Sequence, residues 1–269
     1  MIGKGGSLDT YGTAIRNSGT IADVTGDFIA IQHKNETSGI VNGGAIHNEG
    51  VLGNVTGSFI GNFISGGSPY GGAIGNGGEI GKITGIFIGN HVAGSISNYI
   101  GCGGAISGTF SDIEADFIGN YATGFSAYGG AIHAGGTIGD ITGDFIGNYA
   151  AALASYDYAR AYGGAIYNVG TIGNITGDFI GNYATSSDGS ALGGVIYNYA
   201  YLGTAKIGDI TGDFIGNYVS GSSSASGGAI HNEGTIGDII GDFIGNYASG
   251  SYASGGAIFN DGGTIGDIT

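Results

Sequence analysis

Two tetrapeptides alternate along the chain at near-constant spacing, and this limits the fold more than any other feature. GGAI starts at Gly43, Gly71, Gly103, Gly129, Gly163, Gly227 and Gly255, with GTAI at Gly12 and GGVI at Gly193. FIGN starts at Phe59, Phe87, Phe117, Phe145, Phe179, Phe214 and Phe243, and Phe28 opens a variant, FIAI. From GGAI to the following Phe is 16 residues in six copies. From each Phe to the next GG varies between 12 (59 to 71) and 18 (145 to 163). One repeat is therefore about 30 residues, a constant segment followed by a variable one.

Superposed, the copies form columns. An Asn follows GGAI after one variable residue, as at Asn17, Asn48, Asn76, Asn168, Asn198, Asn232 and Asn260. FIGN adds a Phe column (Phe145, Phe179, Phe214, Phe243) and a second Asn column (Asn148, Asn182, Asn217, Asn246). The apolar spacings sustain no helical stripe, and Gly interrupts every candidate helix. They fit short strands separated by Gly-rich bends, three to a repeat: around GGAIxN, TIGDIT and DFIGN. The expected fold is all-β, a right-handed parallel β-helix (β-solenoid) of about nine coils in a single domain over 1–269. Stacking would turn each column into a ladder with rungs roughly 4.7–4.9 Å apart, Phe on Phe inside and Asn amides bonded to one another at the bends.

Composition narrows the function classes. The 63 Gly lack the period of collagen, and with 17 Tyr, 12 Phe and 41% hydrophobic residues the chain has enough apolar surface to fold. A formal net charge of −15 disfavours nucleic acid and anionic lipid as partners. The one cysteine, Cys102, leaves no intramolecular disulfide framework. No apolar run reaches membrane-spanning length, so no membrane insertion of this segment is expected. Residues 1–30 lack the basic start and apolar core of a secretion signal.

GGAI alternating with FxxN from Gly12 onward resembles the repeats of the chlamydial polymorphic membrane proteins, which are autotransporter passengers, and of other autotransporter adhesins. The resemblance implies a β-helix displayed at a bacterial surface or outside the cell and used in adhesion, with a host or cell-surface receptor or glycan as partner. The family's C-terminal membrane barrel is missing from this sequence, which is also compatible with a passenger fragment of a longer adhesin.

The recurrent acids Asp140/Asp144, Asp209/Asp213 and Asp238/Asp242 are the weak calcium candidates. Their even spread, and the missing GGxGxDxUx calcium repeat, favour a solvated acidic strip, with no cofactor. His47, His133 and His231 share one column with Arg, Gly, Ser, Tyr and Phe, a mixture expected of an outward-facing surface position. The longest variable segment carries Tyr156, Tyr158, Arg160 and Tyr162, and is the expected partner-binding edge. Met1, Ile2 and Gly3 can be aligned with the start of FIGN, while Ile265 and Ile268 lie in the closing copy. One copy's start could thus complete another's end and build a filament. The expected function is a non-catalytic structural or adhesive rod. The rival is a polysaccharide-active β-helix enzyme of the lyase or glycosidase type, which would need a cluster of acids with Arg or Lys in a groove.

Overall fold

A computed structural model describes residues 10–11, 14–34, 39–94, 99–153, 158–200 and 205–269. Every described strand pairing between coils is parallel, and no helix occurs among the described residues. The chain is a parallel β-solenoid. Nine GGAI strands, from Ile15–Asn17 to Ile258–Asn260, make one continuous sheet, so eight turns separate the first from the last. The register is identity on identity: Ile74 pairs with Ile46 and Ile106, and Phe87 with Phe59 and Phe117.

Inside each coil, Ala and Ile of GGAI meet the two Ile of the TIGDIT segment and the Phe of FIGN. Ala165, Ile166, Ile172, Ile175 and Phe179 are one such set, all buried in a single cluster that runs the length of the rod. The Phe rings stack from Phe28 to Phe243 with centroids 4.5–5.3 Å apart and planes within 14°. The Ile of FIGN takes the opposite side of its strand, as strand alternation requires, and Ile29, Ile180 and Ile244 are exposed.

The two glycines of GGAI have separate reasons. The first takes a left-handed conformation (Gly163 at φ +61°), and the second lets adjacent coils touch. A Cβ on Gly130 would fall 2.1 Å from the Gly164 carbonyl oxygen and 2.4 Å from that of Tyr149.

One expectation needs correcting. A coil has more than three strands, because the variable segment folds into sheet as well. In one coil Tyr149–Ala152 runs outward and Arg160–Tyr162 returns; in the last two coils the segment is continuous strand, Tyr218–Ser226 and Tyr247–Ser254. The outward and returning ladders join in one 15-stranded sheet. Their inner faces are apolar: Ala152, Ala159, Ala161, Ala184 and Ala191 belong to one buried cluster, and Val41, Ile64, Val92, Ala122, Ala127 and Ala150 form another. The result is a thin fin with its own core, standing beside the GGAI face.

Candidate functional site

The FIGN Asn side chains between the end coils bond on every side. The Asn148 Nδ2 donates to Asn182 Oδ1 at 3.0 Å and to the Phe117 carbonyl at 2.7 Å, while its own Oδ1 accepts from the backbone N–H and Nδ2 of Asn120. The pattern continues through Asn182, Asn217 and Asn246. The GGAI-side ladder runs Asn17–Asn48–Asn76 and Asn168–Asn198–Asn232–Asn260, every amide-to-amide bond 2.8 Å. It is interrupted where Gly108 and Ala134 replace Asn.

The Asp columns have a backbone role. Asp140 Oδ1 accepts the Asn174 N–H, Asp209 Oδ1 accepts that of Asp238, and Asp144 and Asp213 accept those of Asp178 and Asp242. Each carboxylate thus satisfies a bend donor of the next coil, which an Asn does equally well at Asn54 and Asn174. Asp27, bonded to the side chain and backbone of Ser58, is held below the usual carboxylate range.

The column after GGAI does not face open solvent. His47, Tyr167, Tyr197 and His231 are all buried, because the returning ladder of the fin leans over them. Between fin and GGAI face lies a groove. One stretch is lined by Asn42, His47, Glu49, Tyr70 and Ser107, and another by Tyr70, Cys102, Tyr128, His133, Tyr167, Val169 and Tyr199. Tyr162, Tyr167 and Tyr197 form a buried aromatic cluster beside it, with Tyr162 edge-on to Tyr197 at 4.7 Å and 70°. Burial pushes the Tyr162 phenol up to about 12 and those of Tyr167 and Tyr197 higher still, so all three are protonated donors at neutral pH. Burial lowers His133 and His231 to about 4, so both imidazoles are neutral. Cys102 is buried and its thiol pKa is raised by desolvation, which makes it inert rather than nucleophilic.

The expected partner-binding edge is divided by this geometry. Tyr158 and Arg160 are exposed, Tyr162 is buried against the groove, and Tyr156 lies outside the described residues. On the opposite face of the fin, Tyr121, Tyr149, Tyr183, Tyr218 and Tyr247 stack 4.7–5.1 Å apart within 4° of parallel. Their faces are covered by one another, so this ladder presents ring edges and hydroxyls, not platforms for a sugar ring. Of the stacking residues, Ile265 pairs with Ile236, Ile268 is 52% exposed and bridges Ile239, and Met1, Ile2 and Gly3 lie outside the described residues.

Sequence reasoning missed the groove and one cluster at its end. His231, Glu233 and Asp261 form the one group of three potential ligands among the described residues. The Asp columns bring no such group together. The signal was HNEG, present at 47–50 and 231–234. Its His lies in the GGAI strand and its Glu in the bend just past it.

No family model matches this chain, and neither a curated protein nor a solved structure matches it significantly.

Proposed function

We propose that the chain is a non-catalytic adhesive rod, a surface-displayed or extracellular fibre subunit that binds an extended glycan along its groove. The observation that carries the reading is the groove beside the fin, which crosses successive coils and is lined by the phenols Tyr70, Tyr128, Tyr167 and Tyr199, with Tyr128 tilted 35° to Tyr167. A glycan strand has apolar ring faces and hydroxyl rims, and suits aromatic faces interspersed with phenol donors. The acids support a non-catalytic role: those of the columns are engaged by backbone N–H groups at regular intervals and not gathered for proton transfer. Placement at a bacterial surface rests on the likeness of GGAI and FxxN to autotransporter passengers. Head-to-tail stacking of copies belongs to the same proposal. Such stacking would increase with salt as the net charge of −15 is screened.

The test is retention of beads coated with the full chain on a panel of immobilised polysaccharides and glycoproteins under flow. Retention on at least one glycan, weakened by Tyr128→Ser in the groove wall, is the expected result. Retention on none would remove glycan adhesion, and release of new reducing ends from any polysaccharide would contradict the non-catalytic reading.

A further inference from the structure

His231 is 3% exposed; neither ring nitrogen reaches a partner at full hydrogen-bond geometry, and the Ser226 backbone supplies only a looser contact. Buried polar atoms in folded proteins are nearly always satisfied, so an under-satisfied imidazole calls for a partner of another kind. Two carboxylates stand beside it. Glu233 lies two residues on, in the bend just past the strand Ile230–Asn232, with Oε1 3.6 Å from His231 Nε2. Asp261 comes from the next coil, at the position stacked on Glu233, and its backbone N–H donates to the Asn232 carbonyl. One ligand atom from each residue lies within 4.8 Å of the others.

We propose that His231, Glu233 and Asp261 bind a divalent ion of the zinc class, which clamps the last two coils together. One imidazole nitrogen and two carboxylate oxygens are a donor set that zinc accepts, with a fourth position left for water. Ligand atoms around a tetrahedral zinc sit roughly 3.4 Å from one another, given bonds of about 2.1 Å. The His231–Glu233 separation is already close to this, and the exposed Asp261 side chain has room to swing inward. The surroundings hold the ligands in place. The Tyr197 hydroxyl, from the preceding coil, donates to Glu233 Oε1 at 2.5 Å. The Tyr197 ring meets the imidazole edge-on at 4.9 Å, and Phe259 closes the other side at 5.1 Å. A hydrogen-bonded carboxylate and a fixed imidazole plane are what surround the ligands in metal sites.

The molecule contains its own control. His47 and Glu49 repeat the first two ligands 3.2 Å apart, but Gly77 stands where Asp261 would be, and Arg16 pairs with Glu49. A Cβ at Gly77 meets nothing closer than 3.9 Å, so an aspartate fits there.

The experiment is zinc chloride titration of the full, tag-free chain by calorimetry, with melting curves in parallel. One zinc per chain and a raised Tm are expected. Asp261→Asn, at an exposed position, and His231→Ser, which copies Ser107 of the same column, should each weaken binding by about tenfold or more and abolish the rise in Tm. The double variant Arg16→Ser/Gly77→Asp should bind a second ion. Absence of zinc binding in the parent, or binding unchanged in both Asp261→Asn and His231→Ser, would overturn the site. Failure of the double variant to gain an ion would overturn the claim that these three positions suffice.

Discussion

A glycine in a repeat can be needed for its backbone angle or for its lack of a side chain, and the two kinds differ in cost. Gly147 of FIGN sits at φ +62° with open space around a notional Cβ, and the first copy places Ala30 there at φ 53°. Gly147→Ala should cost about 1–2 kcal/mol, the usual penalty of a left-handed residue with a side chain. Gly130→Ala drives a methyl into two carbonyl oxygens of neighbouring strands and should prevent stacking of that coil. Urea midpoints of the two variants separate these cases. The amide of Asn148 makes or accepts four buried side-chain bonds, so Asn148→Ala should lose about 3–4 kcal/mol, more than one hydrogen bond is worth, because its partners are left unsatisfied. His133 gives a pH signature. Burial holds its pKa near 4 in the folded chain, below the ordinary value of 6.5, so the unfolded state takes up the proton first. Stability is then complete above pH 6.5 and falls as pH drops through about 4. Melting temperature followed from pH 7.5 to 4 should show this fall, and His133→Ser should reduce it, leaving the contribution of the same sign from His231.

The fin is the element that recurrence in the sequence conceals. Core columns are legible because Ile, Phe and Asn repeat at one spacing, and each identity states its own rung. The fin varies in length from coil to coil, and its core changes from Val41, Ile64 and Val92 in the early coils to mostly Ala further on, so no one residue type marks its buried face as a column. Tyr162 read as an exposed contact for the same reason, since nothing local shows that the returning strand turns it toward the GGAI face. The histidine column misled through its mixture of Arg, Gly and Tyr, which looked like solvent tolerance. It is in fact a groove floor whose cover changes along the rod, from the exposed Arg16 to the buried Tyr197. The small residues of the fin are a packing requirement with a measurable consequence. Ala161 is fully buried, paired in register with Ala127 and Ala191. Ala161→Leu should destabilise by about 1–3 kcal/mol through overpacking, and Tyr158→Leu, at a position 76% exposed, should leave the denaturation midpoint unchanged.

At the scale of the whole molecule, each coil touches only its neighbours, so the rod is a one-dimensional stack in which position along the axis counts coils and not residues. The column Phe63, His91, Tyr121, Tyr149, Tyr183, Tyr218, Tyr247 makes that claim measurable, since each member is the register partner of the next. Spin labels placed by cysteine substitution at Phe63 and at one of Tyr183, Tyr218 or Tyr247 can be read by double electron–electron resonance. The native Cys102 stays unlabelled because it is buried and protonated. At about 4.8 Å per rung, the three pairs should lie roughly 19, 24 and 29 Å apart. The steps should be equal, although 35 residues separate Tyr183 from Tyr218 and 29 separate Tyr218 from Tyr247. Equal steps of about 5 Å are the result this stacked, in-register rod requires; broad distributions, or distances that fail to grow by one rung per coil, would contradict it.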